Sequence, residues 1–246
     1  MKKSVLALTA GMILTTGTVL AGGGSHWGYT GSQGPEHWGD LDKAYAVCKS
    51  GVNQSPVNLT GLVEAELPAI AFSYGATATE VINNGHTIQA NFAKGSSIKV
   101  DGMDFQLLQC HFHSPSENTI EGESFPMEGH CVHATTEGEL AVVAIMYKLG
   151  AASPAIAALW EKMPEKAGEK NTLSAKVNGI DIMPKNKDYY RFNGSLTTPP
   201  CTEGVRWLVL KENATISRQQ LDRFVKVMHH PNNRPVQPVN ARLIVK

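Results

Sequence analysis

Two short segments constrain this chain more than any other feature. The first reads Gln109-Cys110-His111-Phe112-His113 and the second Glu128-Gly129-His130-Cys131-Val132-His133. Side chains on a β-strand alternate faces. His111 and His113 therefore project together with Gln109 behind them, and Glu128, His130 and Val132 share a face by the same rule. Sixteen residues separate His113 from His130, enough for a loop that returns a second strand beside the first. Pairing the two strands converges three imidazoles on one point.

Three neutral imidazoles suit a catalytic zinc ion, because they supply three nitrogen donors and leave a fourth tetrahedral position for water. No ligand carries charge to cancel the metal's, which favours ionisation of that water. The polar neighbours fit as well. A ligating histidine hands its second ring N–H to a carboxylate, carboxamide or carbonyl, which fixes tautomer and orientation. Gln109 is placed to accept from His111, and Glu128 from His130. A bare His-x-His pair reads as ordinary histidines on a half-solvated strand. The third histidine and the two flanking acceptors move the reading to metal, one Zn2+ per chain.

Met1 to Ala21 has the form of a secretory signal, with Lys2-Lys3 ahead of an apolar run and Val19 three residues before a break at Ala21. The run is too short and too rich in Gly and Thr for a membrane span. Cleavage after Ala21 leaves residues 22–246 as one domain, periplasmic or secreted, with no stable membrane insertion. Without Lys2 and Lys3 the chain carries 20 basic side chains against 22 acidic, a net charge of −2. That balance gives no case for nucleic acid or an anionic membrane as partner. Monomer and homodimer both stay open.

Export places the four cysteines where disulfides persist, and four cysteines pair in three ways. Cys48 and Cys201 lie in loop-like sequence, which suits a structural bridge. Cys110 and Cys131 fall on the strand face opposite the three histidines. They read as buried thiols in preference to a bridge between neighbouring strands.

Short β-type runs dominate the rest: 69–74, 79–83, 87–92, 97–100, 105–112, 130–135, 140–149 and 205–210. Turn pairs such as Asn84-Gly85, Lys94-Gly95, Asp101-Gly102 and Glu137-Gly138 punctuate them. Two segments, 153–162 and 217–228, carry apolar residues at helical spacing behind a serine N-cap. The pattern predicts a mainly β (α+β) single domain with small peripheral helices.

At this point the residues resemble an α-class carbonic anhydrase of the bacterial, exported type. The resemblance runs from His26-Trp27-Gly28-Tyr29 through Gln54-Ser55-Pro56-Val57-Asn58-Leu59, Asn83-Asn84-Gly85-His86 and the histidine segments. It continues to Gly194-Ser195-Leu196-Thr197-Thr198-Pro199-Pro200 and Asn233-Arg234-Pro235-Val236-Gln237-Pro238. It implies a large, mostly antiparallel twisted sheet, and reversible hydration of CO2 to bicarbonate and a proton by zinc-bound hydroxide.

It also implies ligation through Nε2 of His111 and His113 and Nδ1 of His130. Thr197 would be a hydroxyl gate oriented by Glu117, and Thr198 would hold bicarbonate. Val132, Val142, Leu196 and Trp207 would form the CO2 pocket. His86 would shuttle the proton over waters ordered by Tyr29, Asn84 and Gln89. His133, on the other face, is expected to be a hydrogen-bonded core histidine. Ser114-Pro115 and Asn118 depart from the better-known animal pattern, so the surroundings of Glu117 are where the gate should differ. A catalytically dead relative would be expected to lack a ligand histidine, and a zinc buffer would carry His-rich tracts or closed four-ligand sites. Neither describes this chain.

Overall fold

The computed structural model describes residues 26–246, so the expected signal segment lies outside the described residues. The strands are β1 (Asn58–Leu59), β2 (Ala71–Tyr74), β3 (Ala78–Asn83), β4 (Ile88–Phe92), β5 (Ser96–Val100), β6 (Met103–His113), β7 (Thr119–Ile120), β8 (Met127–Ala134), β9 (Leu140–Leu149), β10 (Lys170–Thr172), β11 (Tyr189–Ser195), β12 (Glu203–Leu210) and β13 (Ala214–Ile216). The α-helices are α1 (Trp38–Leu41), α2 (Val47–Ser50), α3 (Pro154–Glu161) and α4 (Arg218–Met228).

Eleven strands form one sheet whose main path runs β10-β3-β4-β6-β8-β9-β12-β11; β5 joins β6, β2 joins β5, and β13 joins β9. Every pairing in that sheet is antiparallel except those of β12 and β13 with β9. Both expected helices are present. Ser217 opens α4 with a reciprocal cap, its hydroxyl accepting from Gln220 N while the Gln220 carboxamide accepts from Ser217 N. The helix ends at His229, whose φ of 63° is left-handed.

Alternation along the central strands divides the core in two. On β9, Val143, Ile145 and Tyr147 join Phe112, Trp160, Leu221 and Phe224 in a cluster beneath α3 and α4. Val142, Ala144 and Met146 face the other way and pack with Val132, Phe192 and Trp207. The metal-type histidines lie on this second face.

Two disulfides tie the fold. Cys48 joins Cys201 as expected. Cys110 and Cys131 are not thiols; they are joined to each other. The two face each other directly across β6 and β8, with Cα atoms 4.1 Å apart, so a bridge needs no strand to move. The sequence told which face each cysteine takes, but a pairing register was needed to make them partners.

Thiol titration of unreduced, denatured protein should therefore find no free cysteine, and peptide mapping should recover the 48–201 and 110–131 links; a free thiol at Cys110 or Cys131 would contradict the register. The chain-entropy treatment puts a bridge spanning 153 residues at about 5 kcal/mol at most. Cys48→Ala/Cys201→Ala should accordingly lower the denaturation midpoint.

Candidate metal centre

Antiparallel pairing sets His111 opposite His130 and His113 opposite Glu128. One nitrogen from each of His111, His113 and His130 lies within 4.8 Å of the other two. The remaining nitrogen of each ring is engaged behind it. His111 Nδ1 is 2.8 Å from Gln109 Oε1, His113 Nδ1 is 2.6 Å from the Asn232 carbonyl, and His130 Nε2 is 2.9 Å from Glu128 Oε1. A carbonyl and a carboxylate can only accept, so these contacts place the ring protons outward. Nε2 of His111 and His113 and Nδ1 of His130 are left as inward lone pairs.

Glu128 is the anchor of this arrangement. Fully buried, it accepts from His130, from the backbone N–H groups of Glu117 and Asn118 at 2.8 Å each, and from Asn118 Nδ2 at 2.7 Å. Asn118, one of the departures from the animal pattern, is thus a direct partner of Glu128, and its Oδ1 accepts from Val57 N at 3.0 Å. Ser114 N donates to Asn232 Oδ1, and Asn232 Nδ2 donates to the carbonyls of His86 and Phe112. Asn232 therefore fixes the far end of β6 from a position 119 residues beyond His113.

Burial pushes the pKa of each of the three imidazoles down. At His111 the neighbouring His113 and His130 add to it, and His113 does so at His130. For His113, burial outweighs the opposing bond to Asn232. All three are held neutral, which is the ligating form. His113 Nε2 is buried with no hydrogen-bond partner. An unpaired buried acceptor is costly, and three lone pairs crowded together repel. A small cation with nitrogen preference resolves both, so the residues fit zinc.

Glu117 stands beside the trio, its Oε2 3.5 Å from His113 Nε2 and 3.8 Å from His130 Nδ1. Its Oε1 accepts from Arg234 N at 2.8 Å. Burial raises the carboxyl to about 8, opposed by the Arg234 N–H and by the Thr197 hydroxyl. Oε2 itself is buried with no hydrogen-bond partner. Arg234 is itself buried, donating to Gln54 Oε1 and to the carbonyls of Ser55 and Cys48.

The apolar residues expected around the site form one row. Val132 faces Val142 across β8 and β9, and Val142 faces Trp207 across β9 and β12. Trp207 meets the His130 ring edge-to-face at 4.9 Å, and Leu196 packs against the same cluster.

A cavity of about 130 Å³ opens on the other side. Tyr29, Asn84, His86, Gln89, Gln109, His111, His113 and Thr198 line it. Asn84 Oδ1 accepts from His86 N and Thr87 N, building the turn that presents His86, while Gly85 supplies a φ of +88°. The His86 ring stacks on Trp27 at 3.7 Å. Burial lowers its pKa to about 4, with His26 and His230 adding to the effect. The Tyr29 hydroxyl is buried without a partner, and Asn84 Nδ2 reaches Gln89 Oε1 at 3.4 Å. His133 lies outside the site, its Nε2 2.5 Å from the Tyr74 hydroxyl, as a core histidine should.

Comparison with known proteins bears on this geometry. A family profile for eukaryotic-type carbonic anhydrase matches residues 33–246. Carbonic anhydrase of Pectobacterium atrosepticum is 44% identical over 220 residues, covering 89% of this chain and 90% of that protein. The Neisseria gonorrhoeae enzyme is 45% identical over 243 residues, covering 97% and 96%. The α-carbonic anhydrase of Thermovibrio ammonificans, solved with the inhibitor sulfanilamide, superposes with a TM-score of 0.90 at 48% identity. That match covers 91% of this chain and all of the other.

Glu128→Gln replaces one acceptor oxygen by a donor that must face an N–H group. Equilibrium dialysis should show metal affinity reduced about 10- to 100-fold, and affinity equal to the parent would remove Glu128 from its anchoring role.

Proposed function

Because the chain belongs to the eukaryotic-type (α-class) carbonic anhydrase family, whose general activity is hydration of CO2, we propose that His111, His113 and His130 hold one zinc ion and that the surrounding side chains run this reaction around it. The observation that carries the reading is the set of three inward lone pairs, each backed by a fixed acceptor, beside the Val132–Val142–Trp207 row. When bound, zinc supplies a Lewis acid that brings the pKa of a coordinated water to about 7, an accepted figure for carbonic anhydrases and not one read from these distances, so that a hydroxide nucleophile exists at neutral pH.

The chain's own residues then position and discriminate. CO2 carries no net dipole, so Val132, Val142, Leu196 and Trp207 hold it by apolar contact beside the imidazoles. The Thr197 hydroxyl, committed as a donor to ionised Glu117, can only accept from the attacking oxygen, which turns a lone pair towards the substrate. The positive charge of a cation beside the ring nitrogens favours the ionised carboxylate against the burial that raises it. Thr198, on the cavity wall, holds the bicarbonate product.

The proton released in each cycle leaves through the cavity. Tyr29, Asn84 and Gln89 order its waters, and His86 passes the proton to buffer. Burial against Trp27 lowers the affinity of His86 for that proton. The indole face works the other way, since its quadrupole attracts an imidazolium. The enzyme acts outside the cytoplasm, in the periplasm or secreted, after removal of Met1–Ala21; the two disulfides and the bacterial relatives support this.

His111→Asn or His130→Asn should abolish CO2 hydration and metal binding, as should dialysis against a chelator, with readdition of Zn2+ restoring only the parent. Activity retained in either variant would mean that other ligands hold the metal. His86→Ala should slow turnover in weak buffer by about 10-fold or more and be rescued by added imidazole, with isotope exchange between CO2 and bicarbonate almost unchanged. Exchange falling in step with turnover would exclude the shuttle.

A further inference from the structure

A β-bulge interrupts the pairing of β6 and β8 just ahead of the ligands. Before it, Gln106 faces Ala134 and Leu107 faces His133; after it, Gln109 faces Val132, Cys110 faces Cys131 and His111 faces His130. Leu108 is the extra residue, and it is exposed. A single strand pair therefore contains two registers one residue apart. Were the bulge to move past the histidines, the earlier register would extend through the ligand segment. Cys110 would then face His130, and His111 would face Gly129. Because side chains alternate with a period of two, a shift of one residue takes a side chain to the wrong face of its neighbours.

The Cys110–Cys131 bridge lies between the bulge and the first ligand pair. A disulfide demands its two residues directly opposite, so it is compatible with one register and not with the other. It sits on the face of the sheet away from the imidazoles, and both cysteines are fully buried within the helix-covered cluster. Neither sulfur has a role in binding substrate. We propose that Cys110 and Cys131 are positioning residues, whose cross-link confines the bulge to Leu108 and so holds His111 and His113 in step with His130 and Glu128. This rests on the trio being the metal site, and it predicts that the bridge governs how long the metal is kept more than how fast the loaded enzyme turns over.

The test uses the exported, processed protein loaded with zinc, with release into excess chelator followed over time. Cys110→Ala/Cys131→Ala should release zinc about 10-fold faster or more, in the range expected when a group that orients ligands is lost. The visible absorption of its Co2+-substituted form should also change. Leu221→Ala, in α4 and packed into the same helix-covered cluster but outside the β6–β8 ladder, serves as the control for lost thermal stability and should leave release and Co2+ spectrum as in the parent. Release and spectrum unchanged in the double variant, or changed equally in Leu221→Ala, would overturn the proposal. Should the double alanine variant fail to fold, Cys110→Val/Cys131→Val refills the volume and carries the same expectation. Failure of both to fold would also count against it, since the bridge would then support the whole domain and not the register. A parent protein that binds no zinc would sink the metal reading itself, an outcome distinct from equal release rates in protein that does.

Discussion

The antiparallel contact between β6 and β8 is the interaction on which the rest depends. It places His111 across from His130 and His113 across from Glu128, so all three ligands and the carboxylate that accepts from His130 meet within three successive rungs of a ladder. A strand offers such precision because its backbone is hydrogen-bonded on both sides: β6 is flanked by β4 and β8, and β8 by β6 and β9. The same alternation that turns the imidazoles to one face sends Cys110, Phe112 and Cys131 into the core on the other. One geometric rule thus supplies both the site and the foundation beneath it.

The price of such a site is a set of buried polar groups that water would otherwise have solvated. Glu117, Glu128, Asn118, Asn232 and Arg234 are each nearly inaccessible, and a buried charge without partners is strongly destabilising. They are tolerated because they satisfy one another. Glu128 has four donors, Arg234 donates to three acceptors through its guanidinium, and Asn232 uses its carbonyl and both ends of its carboxamide. What this network leaves unpaired is informative. His113 Nε2 and Glu117 Oε2 are orphaned at the point where the imidazoles converge, and the Tyr29 hydroxyl is orphaned at the cavity. Among the described residues, three of the six buried side-chain polar atoms without a partner thus lie where chemistry is proposed, the others being His133 Nδ1, Asn213 Oδ1 and Arg234 Nε.

Much of this was legible beforehand, and for physical reasons. Period-two alternation is a local property, so the shared face of Gln109, His111 and His113 and that of Glu128, His130 and Val132 followed from spacing alone, as did the two capped helices. Partners far apart in the chain did not. Asn232 reaches His113 through a backbone carbonyl, which leaves no trace in side-chain identity. Arg234 looks like any arginine until its burial is known, although Asn233-Arg234-Pro235 was part of the resemblance. The strands β10 and β13 are three residues each, and β11 reads Tyr-Tyr-Arg-Phe-Asn-Gly-Ser, too polar to stand out as a strand. Cys110 and Cys131 had their faces assigned rightly and their chemistry wrongly, because bridging depends on register, and register here depends on a bulge at Leu108 that no turn residue announces.

The central claim is that three imidazoles grip one cation. An anomalous-difference map collected across the zinc absorption edge, on crystals of protein purified without added metal, tests it most directly. The account predicts a single strong peak per chain, in contact with His111 Nε2, His113 Nε2 and His130 Nδ1. A map with no peak among those three nitrogens, or with its peak elsewhere on the chain, would contradict it.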